Sequence, residues 1–215
     1  MYNAANAATN ENQTMSETID KGRRQLLTAA TTLTGAVGVA FAAVPFLASW
    51  KPSARAKALG APVEIDISKL DPGAMLKIEW RGKPVWVVRR TPEMIDRLGA
   101  AEPFLADPGS ERSRQPEYAR NPSRAVNPEY LVVLGVCTHL GCAPMSRFEP
   151  GDAELTTASP GDWPGGFYCP CHGSKFDLSG RVFRGVPAPT NLEVPPYTFA
   201  DSGHIIIGQD QGSAA

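Results

Sequence analysis

All four cysteines and two of the three histidines of this 215-residue chain fall in two short clusters, Cys137-Thr138-His139-Leu140-Gly141-Cys142 and Cys169-Pro170-Cys171-His172-Gly173-Ser174. Each cluster follows a strand-like segment and contains a glycine, so each reads as a tight loop presenting sulfur and imidazole nitrogen to a common point. Such donors hold zinc or iron, or the cysteines pair as disulfides. A zinc finger combines a cysteine pair with a histidine pair, whereas here each loop supplies one Cys-His pair and one further cysteine. Cys137 with His139, and Cys169 with His172, make a set of two thiolates and two imidazoles, leaving one cysteine in each loop. On the residues alone, a structural zinc site and a pair of disulfides beside unrelated histidines stay open.

The elements that must position these loops are short. Twenty Gly and twenty Pro are too many for a helical bundle and too scattered for collagen, which favours an all-β fold of brief strands joined by turns. Strands are expected at residues 63–67, 75–80, 84–89, 130–136, 166–168, 181–183, 192–194, 197–200 and 204–207, with Arg81-Gly82 turning a hairpin. Residues 92–98 read as one helix, capped by Thr91 with Pro92 at its first position. Residues 106–128, full of Pro, Ser, Arg and Asn, read as a long surface excursion. His204 reads as a strand histidine, and Tyr168 and Trp163 as packing residues. A net charge of -1, from Lys+Arg 21 against Asp+Glu 22, leaves no cationic excess for a nucleic acid partner.

The N-terminal part has a different character. Residues 1–24 read as a polar tail, and residues 25–50 carry no charge. A helix over the latter would rise about 39 Å, enough for one transmembrane anchor. Lys21-Gly22-Arg23-Arg24-Gln25-Leu26-Leu27 resembles a twin-arginine export signal, which places the tail in the cytoplasm. The flanking charges on the two sides balance and do not set orientation, so the arginine pair is relied on. The plainer reading of that pair is the basic flank of an ordinary span. Small-x-small sites at Ala54-Arg55-Ala56 and Ala56-Lys57-Ala58 would permit cleavage, but the long apolar stretch favours retention. Residues 51–60 read as a flexible hinge linker, and residues 61–215 as the globular domain.

The pattern C-x-H-x-G-C followed by C-P-C-H-G-S resembles that of the Rieske iron-sulfur proteins. The likeness extends to the anchor and linker, to Asn121-Pro122-Ser123-Arg124 and Pro128-Glu129-Tyr130, and to Val186-Pro187-Ala188-Pro189. It thus covers nearly everything after the tail and points, within that family, to the subunit of the bacterial quinol:cytochrome c reductase, the cytochrome bc complex. The resemblance implies a Rieske-type antiparallel β-sandwich with a small cluster-binding subdomain at about residues 135–190. It implies one 2Fe-2S cluster per chain, with Cys137 and Cys169 on one iron, His139 and His172 on the other, and a Cys142–Cys171 disulfide. By the same resemblance His172 accepts a hydrogen bond from the quinol hydroxyl and Leu140 screens the cluster. Ser174, Phe176, Gly141 and Gly173 tune it from just outside the ligands, and Pro187, Ala188 and Pro189 cover it. Many relatives carry tyrosine where this chain has Phe176, so one hydrogen-bond donor to a ligand sulfur is missing here.

The implied function is electron transfer from ubiquinol to a c-type cytochrome. The implied partners are cytochrome b, that cytochrome, ubiquinol and membrane lipid, in a dimeric complex of the bacterial inner membrane with the Rieske domain in the periplasm. The alternative is the Rieske subunit of a periplasmic oxidase such as arsenite oxidase, which shares the export signal. A soluble Rieske ferredoxin is opposed by the anchor and by the cysteine pair outside the ligand set.

Overall fold

The computed structural model describes residues 20–156 and 163–210. The chain divides into two compact units, Met1–Ala54 and Arg55–Ala215. In the first, helix α1 spans Lys21–Ser49, 29 residues or about 44 Å, long and apolar enough to cross a membrane. It starts four residues before the uncharged stretch, so Arg23 and Arg24 lie in its opening turn rather than in a tail. The Asp20 carboxylate caps it, accepting from the Gly22 and Arg23 amides at 2.9 and 3.2 Å. Thr28, Thr31, Thr32 and Thr34 each donate their hydroxyl to the carbonyl four residues back, at 2.7–2.8 Å. These polar groups are therefore satisfied within the helix, as a hydrocarbon surrounding demands. Within the segment read as a linker, Ala54–Leu59 forms a short helix, α2.

Among the described residues, the second unit holds nine strands in three antiparallel sheets of three. The first sheet orders β1 (Val63–Asp66), β9 (His204–Ile207) and β8 (Tyr197–Phe199). A second orders β2 (Met75–Trp80), β3 (Lys83–Arg89) and β4 (Tyr130–Leu134). The third orders β5 (Met145–Arg147), β6 (Gly166–Cys169) and β7 (Ser174–Asp177). Apolar side chains from all three sheets, among them Ile65, Val87, Val132, Phe167, Phe176 and Ile205, join in one continuous core. This bears out the expected all-β, antiparallel architecture.

Arg81 and Gly82 both take positive φ, 52° and 70°, the primed turn whose twist suits a two-residue hairpin. Helix α3 runs Pro92–Ala101, three residues beyond its expected end, with the Thr91 hydroxyl accepting from the Met94 amide and Met94, Leu98 and Ala101 buried. The strand expected at 181–183 is reduced to isolated bridges, Phe176↔Val182 and Leu105↔Phe183, and residues 192–194 form neither strand nor bridge. The Val182 amide is taken by the Asn191 side-chain oxygen at 2.8 Å, so no ladder can form there. Two strands, β5 and β7, were not expected. Residues 106–128 are no surface excursion either, since Asp107, Ser110 and Arg124 are buried within it.

Candidate metal centre

The two loops sit at the ends of the third sheet and use one backbone device. In the first, the Gly141 amide donates to the Cys137 carbonyl at 3.0 Å; in the second, the Gly173 amide donates to the Cys169 carbonyl at 2.9 Å. Both glycines have positive φ, 83° and 77°, a conformation that a side chain would strain. The spacing from cysteine to glycine is four residues in each loop, and within this common turn His139 is half-buried and His172 exposed.

The turn separates the donors by burial. Cys137 and Cys169 are each 2% exposed and unbonded. Cys142 and Cys171 form a disulfide that ties the loops together, with their Cα atoms 6.7 Å apart. The His139 and His172 rings meet at the outer end, centroids 4.8 Å apart and nearly perpendicular, with His172 exposed. Burial above all pushes the Cys169 thiol pKa up; the amides of Cys171 and His172 at its sulfur pull it down, and the neighbouring Cys137 pushes it up again. Sulfur atoms of Cys142, Cys169 and Cys171 lie within 4.8 Å of one another, but two of the three are bonded together. That group is therefore no mononuclear site. Two buried sulfurs held beside each other, with two imidazoles at the outer edge, are instead the donor set of a group with two unlike metal ends, and they fit a 2Fe-2S cluster.

A third segment closes against both loops. The Ser174 hydroxyl, fully buried, accepts from the Ala188 amide at 3.1 Å, and Thr138 donates its hydroxyl to the Thr190 carbonyl at 2.6 Å. Pro187 and Pro189 flank Ala188 and stiffen the segment. Leu140 stands at the tip, 72% exposed. Thr138 was not singled out from the sequence, where a threonine between a cysteine and a histidine carries no signal of its own.

Behind the site, buried arginines lock the turn that follows β7. Asp177 accepts from the amides of Ser179 and Arg181 and pairs with the Arg181 guanidinium at 2.7 Å. Arg90 donates to the Ser179 hydroxyl, and Arg124 to the carbonyls of Ser179 and Leu192. Burial drives the Arg90 and Arg124 pKa values down to about 10. Arg124, at the end of the Asn121-Pro122-Ser123-Arg124 stretch, thus holds the turn after β7 to the segment at Leu192.

Comparison with known proteins agrees with this geometry. Residues 62–197 match the family described as Rieske 2Fe-2S domain, and residues 14–53 match the Ubiquitinol-cytochrome C reductase Fe-S subunit TAT signal. The ubiquinol-cytochrome c reductase iron-sulfur subunit of Allochromatium vinosum is 57% identical over 196 residues, covering 91% of this chain and 93% of the relative. Its counterpart from Blastochloris viridis is 45% identical, covering 90% and 96%, and that from Rhodospirillum rubrum 43% identical, covering 88% and 93%. With a Rieske domain across its globular unit and such likeness along nearly its whole length, the chain belongs to the family of Rieske iron-sulfur subunits of ubiquinol-cytochrome c reductase.

Proposed function

We propose that this subunit takes one electron from ubiquinol at its imidazole-bearing tip and passes it to a c-type cytochrome, with Cys137 and Cys169 holding one iron and His139 and His172 the other. The observation that carries this reading is the sorting of donors: thiols buried, the His139 ring half-buried beside that of His172, and His172 exposed where a quinol could reach it. When bound, the cluster supplies a one-electron acceptor whose potential is raised because two neutral imidazoles replace two anionic thiolates. The chain's own residues do the rest. His172 accepts the hydrogen bond of the quinol hydroxyl, and its outer ring nitrogen holds the proton released as the electron leaves. Leu140 presents an apolar cap that excludes water around that contact. Ser174 keeps its hydroxyl hydrogen for a cluster sulfide, because its oxygen already accepts from Ala188. The Pro187-Ala188-Pro189 segment holds the two loops shut.

The partners in this reading are cytochrome b and a c-type cytochrome of a dimeric complex in the bacterial inner membrane. Helix α1 anchors the chain with its N-terminus in the cytoplasm and the Rieske domain in the periplasm. Residues 51–60 let the domain swing between its two docking positions. The test is spectroscopic. After dithionite reduction, the detergent-purified chain is expected to give the electron paramagnetic resonance spectrum of a mixed histidine-thiolate centre, lost in His139→Ala and His172→Ala. Iron-free protein, or the spectrum of an all-cysteine centre, overturns the reading. Copurification of cytochrome b and a c-type cytochrome checks the partners.

A further inference from the structure

The segment that closes on the two loops is itself held from behind by one side chain, Asn191, which is 1% exposed. Its amide nitrogen donates to the Asp107 carbonyl and to the Ser110 hydroxyl, both at 2.9 Å, and its side-chain oxygen accepts from the Val182 amide at 2.8 Å. Its main-chain amide donates to the Ser113 hydroxyl at 3.0 Å. A carboxamide suits this place because it offers two donors and an acceptor on one short stem. The loop that Asn191 grips is fixed in its own right. The Asp107 carboxylate accepts from the Glu111 and Arg112 amides at 2.8 and 3.1 Å and from the Ser113 hydroxyl at 2.8 Å, and both Asp107 and Ser110 are buried.

Asn191 stands close in the chain to the ties between its own segment and the cluster loops. Thr190, just before it, accepts from the Thr138 hydroxyl, and Ala188, three residues before it, donates to the Ser174 hydroxyl. Pro187 and Pro189 fix φ on either side of Ala188, so a displacement of Asn191 is passed to that amide rather than absorbed by backbone rotation. Val182, whose amide Asn191 holds, bridges to Phe176, two residues along β7 from Ser174. One buried side chain therefore serves as the common reference for the Ala188 amide and for the strand that carries Ser174.

We infer that Asn191 is a positioning residue of the cluster site: it seats residues 187–190 so that the Ala188 amide holds the Ser174 oxygen and leaves the Ser174 hydrogen directed at the cluster. The inference deepens the function proposed above and rests on the role given there to Ser174. Reduction adds negative charge to the cluster, which that hydrogen stabilises, so a displaced Ala188 amide lowers the midpoint potential. In the competing account Asn191 holds the fold together without acting on Ser174.

Two substitutions separate the accounts. Asn191→Leu keeps the size of the side chain and removes its three bonds without adding charge, while Ser110→Ala removes one partner and leaves Asn191 in place. Each is made in the full chain, loaded with cluster and read by protein-film voltammetry, alone and combined with Ser174→Ala. The expected result is a downward shift of the midpoint for Asn191→Leu, a smaller downward shift for Ser110→Ala, and neither shift in the Ser174→Ala background. Unchanged potentials in the single variants overturn the inference, as do equal shifts with and without Ser174→Ala. Should Asn191→Leu yield no loaded protein, Ser110→Ala decides by the same criterion. An unmoved potential in Ser174→Ala alone would instead strike the role given to Ser174.

Discussion

At the scale of single residues, the site is a set of donors graded by exposure, and its tuning depends on which neighbours can hydrogen-bond sulfur. Ser174 and Phe176 lie two residues apart on β7 and so share a face of the strand. Phe176 is fully buried there. A tyrosine at this position would add one donor on the cluster side of the strand. With a net hydrogen bond worth about 1 kcal/mol, Phe176→Tyr should raise the midpoint potential by roughly 40 mV for a one-electron couple. Voltammetry reads this directly, and an unshifted wave would show that the hydroxyl finds no ligand sulfur.

Secondary elements contribute by holding two loops in one geometry. Four ties converge on them: the disulfide, the Ser174–Ala188 and Thr138–Thr190 bonds, and the arginine-locked turn after β7. The disulfide closes a sequence separation of 29 residues, for which loop entropy gives about 3–4 kcal/mol of stabilisation. Replacing Cys142 and Cys171 together by alanine should lower the unfolding free energy by that order and release the cluster earlier in urea, followed through its visible absorbance. An unmoved midpoint would mean that the proline segment and the arginine lock suffice. Gly166 is a second structural requirement. A side-chain carbon there would stand 2.0 Å from the Phe176 carbonyl, closer than any real contact, so β6 and β7 pair tightly at the end of the ladder away from Cys169 because the residue is glycine.

For the molecule as a whole, two units answer to two solvents. Helix α1 contributes no buried residue and exposes Leu26, Leu33, Phe41 and Phe46, an apolar surface that belongs in lipid. The globular unit has its own continuous core. A chain beginning at Arg55 should therefore stay in solution without detergent and keep the spectrum of the full-length protein, while the full chain partitions into detergent. Aggregation of the shortened chain, or loss of its cluster, would show that the head depends on its anchor.

The two cysteine-histidine loops, the long apolar helix and the hairpin at Arg81-Gly82 could be read directly from the chain because each is a local signal: candidate metal donors at short spacing, an uninterrupted apolar run, a turn that needs two positive φ values. Strand β7 was hidden because Lys175 and Asp177 are poor strand formers, and what makes them tolerable, the Leu155 carbonyl and the Arg181 guanidinium, comes from contacts no pattern of spacing reveals. The burial of Arg124 and the role of Thr138 were hidden for the same reason, as the carbonyls they donate to lie 52 to 68 residues away. Residue type and spacing decided what chemistry this chain can perform. Long-range hydrogen bonding in a water-poor interior decided how tightly the two loops are held, because a buried polar group is stable only where the fold brings it a partner.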